Sequence, residues 1–461
     1  MIGAACRDHN IETLLVAHHA DDQAETVLIR LINNYLGMGL RGIQSVSTMD
    51  GETARYGIYQ SGKPRRVSSE HALALKMDHS GSQPVEWLNA SSMLTEAGGI
   101  SLIRPLLQFS KSDLIATCLD ARISWVEDQT NKDVSLATRN TLRYMNENEL
   151  LPQALRAERL QALSSAITAH RDTYSAFIEE LIDQAEILID TSCSRVICTF
   201  SASAVHSIQI HSCADHIRAT LLHELISIVA SKEHLSTNML NQSTIRFLQP
   251  HDEGPTYQEA GVGITSWLQP DGAHSYEMLT HNVRSTVEET PLVDWVYDLS
   301  KPADIVRWSD WQLWQGRYWL RLGYRVDVLN GAPKASVRYR RKGDDQITSA
   351  KEPRLQELFQ LHKRRCKIPK AAAYAMPVIA AGPDDEIVAF PAYGISNRRW
   401  ALVEDESDQL DPTADCFYMI RYKQLPAWAT EPLCSNRHPY QQSATPGYRK
   451  LSRSRPFPPL R

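Results

Sequence analysis

The chain has 461 residues, 43% of them hydrophobic and 22% charged, a globular balance with length for two or three domains at about 100–200 residues each. The formal net charge of −5 excludes a uniformly basic nucleic-acid coat and leaves any RNA contact to local patches. Eight scattered cysteines form no C-x-x-C pair, which argues against zinc and thioredoxin-like chemistry and suits free thiols in a reducing compartment. No run of about 18 apolar residues marks a membrane span, and no signal-peptide pattern is visible at the start.

In chain order, Met1 to Cys6 reads as helix. The apolar run Thr13 to Ala17 predicts a buried parallel strand. His18, His19, Asp21 and Asp22 follow at its carboxyl end, and a helix face of Ala24, Val27, Leu28, Leu31 and Tyr35 comes next. Open α/β sheets carry ligand chemistry at the carboxyl ends of their strands, so a histidine with an acid pair there can meet Mg²⁺, phosphate or a substrate amine. Two plainer readings stand beside this one. Asp22 with Glu25 has the form of a capping box, and His18 and His19 can be ordinary strand-end residues.

Residues 51–99 lose periodicity and read as a mobile surface insertion; Arg65 and Arg66 within it are a solvated charge run or an RNA contact. A strand is expected at Ile100 to Ile103, ending in Arg104-Pro105. Ser110 with Asp113 has capping-box form and opens a helix carrying Leu114, Ile115, Cys118 and Leu119. Then come Trp125, Glu127, Asp128, Thr130 and Asn131, and after them Arg139, Asn140 and Arg143. Arginines at 104, 139 and 143 can make planar forks on phosphate, although Arg143 can equally pair with a nearby acid. Glu127 and Asp128 can receive an ammonium or Mg²⁺. Asn131 suits loop shaping, Asn140 can orient Arg139, and Trp125 suits the core.

From Leu150 the pattern turns helical, with Leu155, Leu160, Leu163, Ile167, Tyr174, Phe177, Leu181, Ala185 and Leu188 on one long amphipathic stretch. Further helices are expected near 217–231 and 237–248, and strands near 261–267, 305–308 and 318–328. Between Lys334 and Lys370 there are twelve Lys/Arg against four Asp/Glu, a local basic patch that includes Arg338, Arg340, Arg341, Lys363, Arg364 and Arg365. Phosphate contact dominates nucleic-acid affinity, so a nucleic-acid-binding face is reasonable there. Basic residues near a helix carboxyl end also suit the macrodipole, which alone accounts for 363–365. The tail from Cys434 is rich in Pro, Ser and Arg, has no acid after Glu431, and reads as disordered.

The string Ala17 to Thr26, AHHADDQAET, resembles the AHHxDDQxET segment of the tRNA(Ile)-lysidine synthetases, members of the N-type ATP-pyrophosphatase (PP-loop) superfamily. The glycine-rich run Asn34 to Ile43 resembles that family's RGxGxxGLxG turn. The strand ending Arg-Pro-Leu-Leu, the Trp-Val-Glu-Asp stretch and the Arg139-Asn140 stretch match further family segments in order, with Thr130 standing for the usual serine. The C-terminal half resembles the family's basic acceptor-end reader, except that Ala373 stands where an arginine is frequent.

The resemblance implies an α/β fold. A parallel-sheet ATP-pyrophosphatase (adenine nucleotide alpha hydrolase-like) domain would occupy 1–150, with 51–99 as a flexible insertion. A mainly helical middle domain would cover 151–330, a small basic α+β domain 331–425, and a disordered basic tail 426–461. The family's SGGxDS phosphate turn is not found, and it belongs upstream of Met1, so the nucleotide domain is expected to be N-terminally incomplete.

The implied activity is ATP- and Mg²⁺-dependent ligation of free lysine to the wobble cytidine of a tRNA(Ile) with a CAU anticodon. His19, Asp21 and Asp22 would be catalytic, with Asp22 on the metal. Glu25, Glu127, Asp128 and Asn131 would bind substrate. Arg104, Arg139, Asn140 and Arg143 would hold phosphate or tRNA, joined by Arg338, Arg340, Arg341, Lys363, Arg364 and Arg365. A homodimer is compatible with this reading, and no membrane is involved. The insertion and basic tail favour a mitochondrial form over a bacterial cytoplasmic one. Two alternatives stand: a PP-loop tRNA thiolase, which calls for a cysteine pair, and a tRNA-binding relic without its ATP loop.

Overall fold

A computed structural model of the chain describes residues 2–9, 11–35, 37–49, 64–68, 93–96, 99–126, 138–231, 235, 240–249, 256–280, 305–327, 335–341, 343–365, 368–382, 385–404 and 409–432. The N-terminal region opens with helix α1 (Ile2–Asp8), strand β1 (Thr13–Leu15) and helix α2 (Ala20–Ile32). Strands β2 (Val46–Thr48), β3 (Arg65–Val67), β4 (Leu94–Thr95) and β5 (Ser101–Ile103) follow, then helices α3 (Lys111–Asp120) and α4 (Thr138–Glu147). β1 pairs parallel to β5 and β2 pairs antiparallel to it, giving a three-stranded sheet in the order β1-β5-β2. The parallel β1 is therefore present, but it is not buried: it lies at the sheet edge and Leu15 is 68% exposed.

α2 forms because Ala20, Ala24, Val27 and Leu28 fall on one helical face, where they are buried. It ends at Ile32, short of the expected Tyr35, because Asn34 takes a left-handed φ of 59°, which asparagine tolerates. Val27 and Leu28 pack with Leu40, Leu142, Leu151 and Leu160 in a small core separate from the main one.

The long helix α5 (Ala157–Gln184) begins the middle region and turns into strand β6 (Glu186–Asp190), so Leu188 lies on a strand rather than on the expected helix face. β7 (Arg195–Phe200), helices α6 (Ala202–Gln209), α7 (Ala214–Val229) and α8 (Asn241–Arg246), and strands β8 (Thr256–Glu259), β9 (Val262–Leu268) and β10 (His274–Thr280) follow. The five strands make one antiparallel sheet in the order β6-β7-β10-β9-β8, so the region expected to be mainly helical is α+β.

Strands β11 (Val306–Trp308), β12 (Gln312–Trp314) and β13 (Tyr318–Arg325) precede β14 (Ala335–Tyr339), helices α9 (Asp344–Lys351), α10 (Pro353–Arg365) and α11 (Lys370–Tyr374), and strands β15 (Pro377–Ala381), β16 (Glu386–Phe390), β17 (Ile395–Ser396), β18 (Trp400–Leu402), β19 (Cys416–Tyr422) and β20 (Thr430–Pro432). β14 to β17 form a four-stranded sheet. β11, β12, β13, β18, β19 and β20 join an eight-stranded sheet.

Two members of that eight-stranded sheet, β3 and β4, come from the expected mobile insertion. The insertion is therefore structured at 64–68 and 93–96. β20 likewise extends ordered structure past the expected tail start at 426; residues 433–461 lie outside the described residues.

The boundary expected near 330 is also bridged. β13 pairs with β19 along its length, and one hydrophobic core runs from Tyr174 through Ala429. Across the boundary, Arg317 Nη2 donates to the Ala375 carbonyl at 3.1 Å.

Candidate active site

The site is built where β1 ends and α2 begins. Val16 N–H still donates to the Ile103 carbonyl at 2.9 Å, holding the chain to β5, and His18 and His19 follow. His19 is the N-cap of α2, with extended backbone. Its N–H donates to Asp22 Oδ2 at 3.0 Å, so Asp22 is the N3 member of the capping box and not the N-cap expected from its spacing to Glu25. Asp21 and Asp22 both sit in the first helical turn, where negative charge meets the positive end of the macrodipole.

A second helix N-terminus converges on the same point. The Ser110–Asp113 capping box forms as the spacing predicts, with Asp113 N–H donating to Ser110 Oγ at 3.1 Å. It presents the Lys111 N–H to Asp21 Oδ2 at 2.7 Å. Asp21 Oδ2 also lies 3.4 Å from His19 Nδ1, and Asp22 Oδ2 lies 3.4 Å from His19 Nε2. The imidazole beside it, and then the Lys111 amide, hold the Asp21 carboxyl below its usual range. Asp21 in turn raises His19, against the opposing effect of burial. His18 moves the other way, lowered first by burial and then by the Arg104 guanidinium, whose Nε donates to His18 Nδ1 at 3.3 Å. Arg104 Nη1 also donates to the Gln44 carbonyl at 2.8 Å and Ser47 Oγ at 3.0 Å, so this arginine ties β5 to the segment before β2.

Arg139 and Arg143 are spaced i,i+4 on α4 and present one face to α2. Arg139 Nε donates to Glu25 Oε2 at 2.6 Å and its Nη2 to Asp22 Oδ1 at 3.1 Å. Arg143 Nε donates to Glu25 Oε1 at 2.7 Å and its Nη2 to Glu25 Oε2 at 3.2 Å. The acid-pairing alternative for Arg143 is therefore the observed one, and the buried Glu25 is the shared counter-ion of two arginines. Asn140 lies beside Arg139 on α4.

The Gly-rich turn after α2 is fastened by a residue that sequence reasoning left without a role. Gln23 Oε1 accepts from Ile43 N–H at 2.5 Å, while its Nε2 donates to the Arg41 carbonyl at 3.0 Å and Ser164 Oγ at 2.8 Å. Gly42, at φ +65°, leaves the room that side chain needs. Gln161 Nε2 donates to the Ala20 carbonyl at 3.0 Å, so α5 is locked onto the start of α2. Only the partners reveal these roles, since Gln23 reads in sequence as one more polar helix residue.

A cavity of about 340 Å³ opens between α2, α3, α4 and the start of α5. His19, Asp21, Glu25, Lys111 and Arg143 give it a polar side; Leu28, Ile115, Leu142, Leu151, Leu155 and Leu160 give it an apolar one. Leu151, Leu155 and Leu160 come from the expected middle domain, so the pocket is completed across that boundary. Such a cavity suits a ligand with a charged group and an aliphatic part.

Mg²⁺ is commonly held by one or two carboxylates together with phosphate oxygens and water. Asp22 does not fit as its ligand in this arrangement, since Oδ1 faces Arg139 and Oδ2 caps α2. Among the described residues no group of three or more His, Cys, Asp or Glu is arranged to hold a metal. Glu127, Asp128 and Asn131 lie outside the described residues. Trp125, expected in the core, is 44% exposed.

The C-terminal basic patch divides. Arg338 is buried and makes a two-point pair with Asp344, Nη1 to Oδ2 at 2.8 Å and Nη2 to Oδ1 at 3.1 Å. Arg340 is buried too, paired with Asp345 and stacked over Phe359 with its Cζ 4.6 Å from the ring centre. These two expected tRNA contacts are internal braces: Arg338 on β14 and Arg340 just past its end both meet acids of α9. Arg341 is half-exposed and pairs with Asp385 at 2.7 Å. Arg364 is exposed and Lys363 partly so near the end of α10, while the side chain of Arg365 is outside the description. Ala373 is buried in the core, leaving no room for an arginine.

Among the described residues no helix is long and apolar enough to cross a membrane. A family model described as a PP-loop domain matches residues 1–60 and 73–154. The probable tRNA(Ile)-lysidine synthase of Schizosaccharomyces pombe is 30% identical over 148 residues, 32% of this chain and 24% of that protein. The tRNA(Ile)-lysidine synthase of Bradyrhizobium diazoefficiens is 34% identical over 183 residues, 40% of this chain and 36% of that protein. That of Wolbachia pipientis is 29% identical over 153 residues, 32% and 24% of the two chains. The matches thus span from 24% to 36% of the length of these curated relatives. Residues 1–60 and 73–154 thus match a PP-loop domain, which is an ATP-binding domain, and part of the chain is similar to tRNA(Ile)-lysidine synthases.

Proposed function

We propose that this chain serves an ATP-dependent tRNA(Ile)-lysidine ligase. ATP adenylates the C2 oxygen of the wobble cytidine of a CAU anticodon and releases pyrophosphate. The ε-amine of free lysine then attacks C2, the C2–O bond breaks, and AMP leaves. The observation that carries this reading is the cavity itself: it joins His19, Asp21 and Arg143 at the carboxyl end of β1, within the region matched to a PP-loop domain.

The residues suit the chemistry. An attacking amine must lose a proton, and Asp21, held ionised by its neighbours, is an acceptor for an ammonium N–H. His19, whose protonated form Asp21 favours, is placed to donate to phosphate oxygens as they develop negative charge. The apolar wall of Leu28, Ile115 and Leu142 suits the methylenes of lysine. Mg²⁺ would arrive with the nucleotide phosphates, and none of these roles depends on it. Among the described residues of the C-terminal patch, the exposed cations Arg354, Arg364 and Lys370 can approach a tRNA backbone, with the partly exposed Lys363.

The test is incorporation of labelled lysine into a CAU-anticodon tRNA(Ile) transcript by the full-length gene product. His19→Ala and Asp21→Ala should each abolish labelling while tRNA binding persists. Full labelling by both variants would remove the assignment. tRNA binding without labelling by the wild type would instead favour the non-catalytic relic. We further propose a mitochondrial site of action, tested by fractionating cells that express the tagged full-length product.

A further inference from the structure

The eight-stranded sheet contains two strands that do not belong to the C-terminal part of the sequence. β4 runs parallel to β19, with Leu94 opposite Arg421 and Thr95 opposite Tyr422. Glu96 N–H extends that ladder to the Tyr422 carbonyl at 2.8 Å. β3 pairs antiparallel with β20, and Ser68 N–H donates to the Ala429 carbonyl at 2.9 Å. Thr95 Oγ1 donates to the Arg65 carbonyl at 3.2 Å, joining the two strands. Val67, Leu94, Thr95 and Glu96 are all buried, and Val67 is part of the main core. β3 falls within 61–72, the interval that the PP-loop family model leaves unmatched.

The attachment is closed by a buried side-chain contact. Glu96, 3% exposed, receives Arg421 Nη1 on Oε1 at 3.1 Å, and Arg421 lies over the Trp311 ring with its Cζ 4.7 Å from the centre. At the outer edge Arg66 Nη2 meets Glu404 Oε2 at 2.9 Å, which gives this arginine a structural partner. Five residues beyond Glu96 the chain is Ser101, the first residue of β5. Five residues span at most about 18 Å, so β4 cannot move far without pulling on β5. β5 is the central strand of the site sheet, and Arg104, immediately after it, is the residue that holds His18.

We propose that β3 and β4 form a strap by which the C-terminal sheet holds the site strand β5, with the Glu96–Arg421 pair as its clasp. The strap couples the placement of the basic C-terminal part to the segment carrying Arg104. It stands apart from the ligase reading, because it concerns a mechanical link whose readout is not lysine transfer.

The test is amide hydrogen exchange on the full chain. Glu96→Lys sets a second cation against Arg421 in a buried place, which should release β4 and raise exchange at 94–96 by roughly a hundredfold or more. Exchange at 101–104 should rise with it, while the β6 to β10 sheet keeps its protection. A version that also carries a flexible Gly-Ser insertion between Glu96 and Ile100 should confine the rise to 94–96. If Glu96→Lys unfolds the whole chain, Arg66→Glu, which reverses one member of the partly exposed Arg66–Glu404 pair, serves in its place, with a rise of roughly a few-fold expected at 66–68 and 94–96 and carried on to 101–104. Wild-type protection at 101–104 beside rapid exchange at 94–96 in the uninterrupted chain would overturn the strap. So would unchanged protection at 94–96 in a folded variant.

Discussion

Arg143 and Glu25 meet through two hydrogen bonds, Nε to Oε1 at 2.7 Å and Nη2 to Oε2 at 3.2 Å, and Arg139 adds a third to the same carboxylate. Glu25 is buried, whereas the arginine side chains are 22% and 40% exposed. Removing the acid therefore leaves two cations facing each other that water only partly reaches. Glu25→Gln should lower unfolding stability by about 1–3 kcal/mol, less than a fully buried pair would lose. Urea unfolding of wild type and variant measures it.

Gly42 and Gln23 are coupled. An added Cβ at Gly42 would lie 2.5 Å from Gln23 Oε1, at a φ of +65° that strains any side chain. Gly42→Ala should cost about 2 kcal/mol. Gln23→Ala should cost about 1–2 kcal/mol through the lost bonds to Ile43 and Arg41. The double variant should lose less than the sum, since the clash disappears with the Gln23 side chain. A double-mutant cycle by thermal or urea unfolding reads the shortfall; strict additivity would refute the coupling.

Glu96 makes stability depend on pH. Burial outweighs the attraction of Arg421 and raises its carboxyl from 4.5 to about 7. The folded state thus holds a proton that the unfolded chain releases near 4.5. Its contribution is fully present below that pH and is lost as pH rises through about 7, a change of order 3 kcal/mol at most. The difference in unfolding free energy between wild type and Glu96→Gln, measured from pH 4.5 to 8, should move against the wild type across this window and be flat above it.

The C-terminal arginines should separate by burial. Arg338→Ala leaves Asp344 buried and unpaired, and should cost about 3–5 kcal/mol. Arg364→Ala touches an exposed side chain and should stay within about 0.5 kcal/mol of wild type. If this face contacts tRNA, Arg364→Ala should weaken binding and reduce the salt slope by about 1. Unfolding curves and filter binding at several salt concentrations distinguish the two.

Local patterns were legible where neighbours in sequence decide the structure. The Ser110–Asp113 cap and the strand at 318–325 follow from capping chemistry and periodicity, whereas the cap of α2 falls on His19 and not on Asp22. Within the expected insertion, β3 and β4 are not legible because they are three and two residues long, too short to show a period. They are strands only because β19 and β20 offer them a ladder.

The sequence by itself determined the His- and Asp-rich run from Ala17 to Thr26 and the chemical kinds of residue that gather around it. Tertiary structure alone decided what each charge does. Arg338 and Arg364 are alike in sequence, yet one braces α9 from inside and the other faces water. Glu25 became the counter-ion of two arginines, and Glu96 became a clasp 325 positions from its partner. The physical reason is that a charge takes its role from burial and from partners brought near by folding, and neither is encoded in the residues beside it.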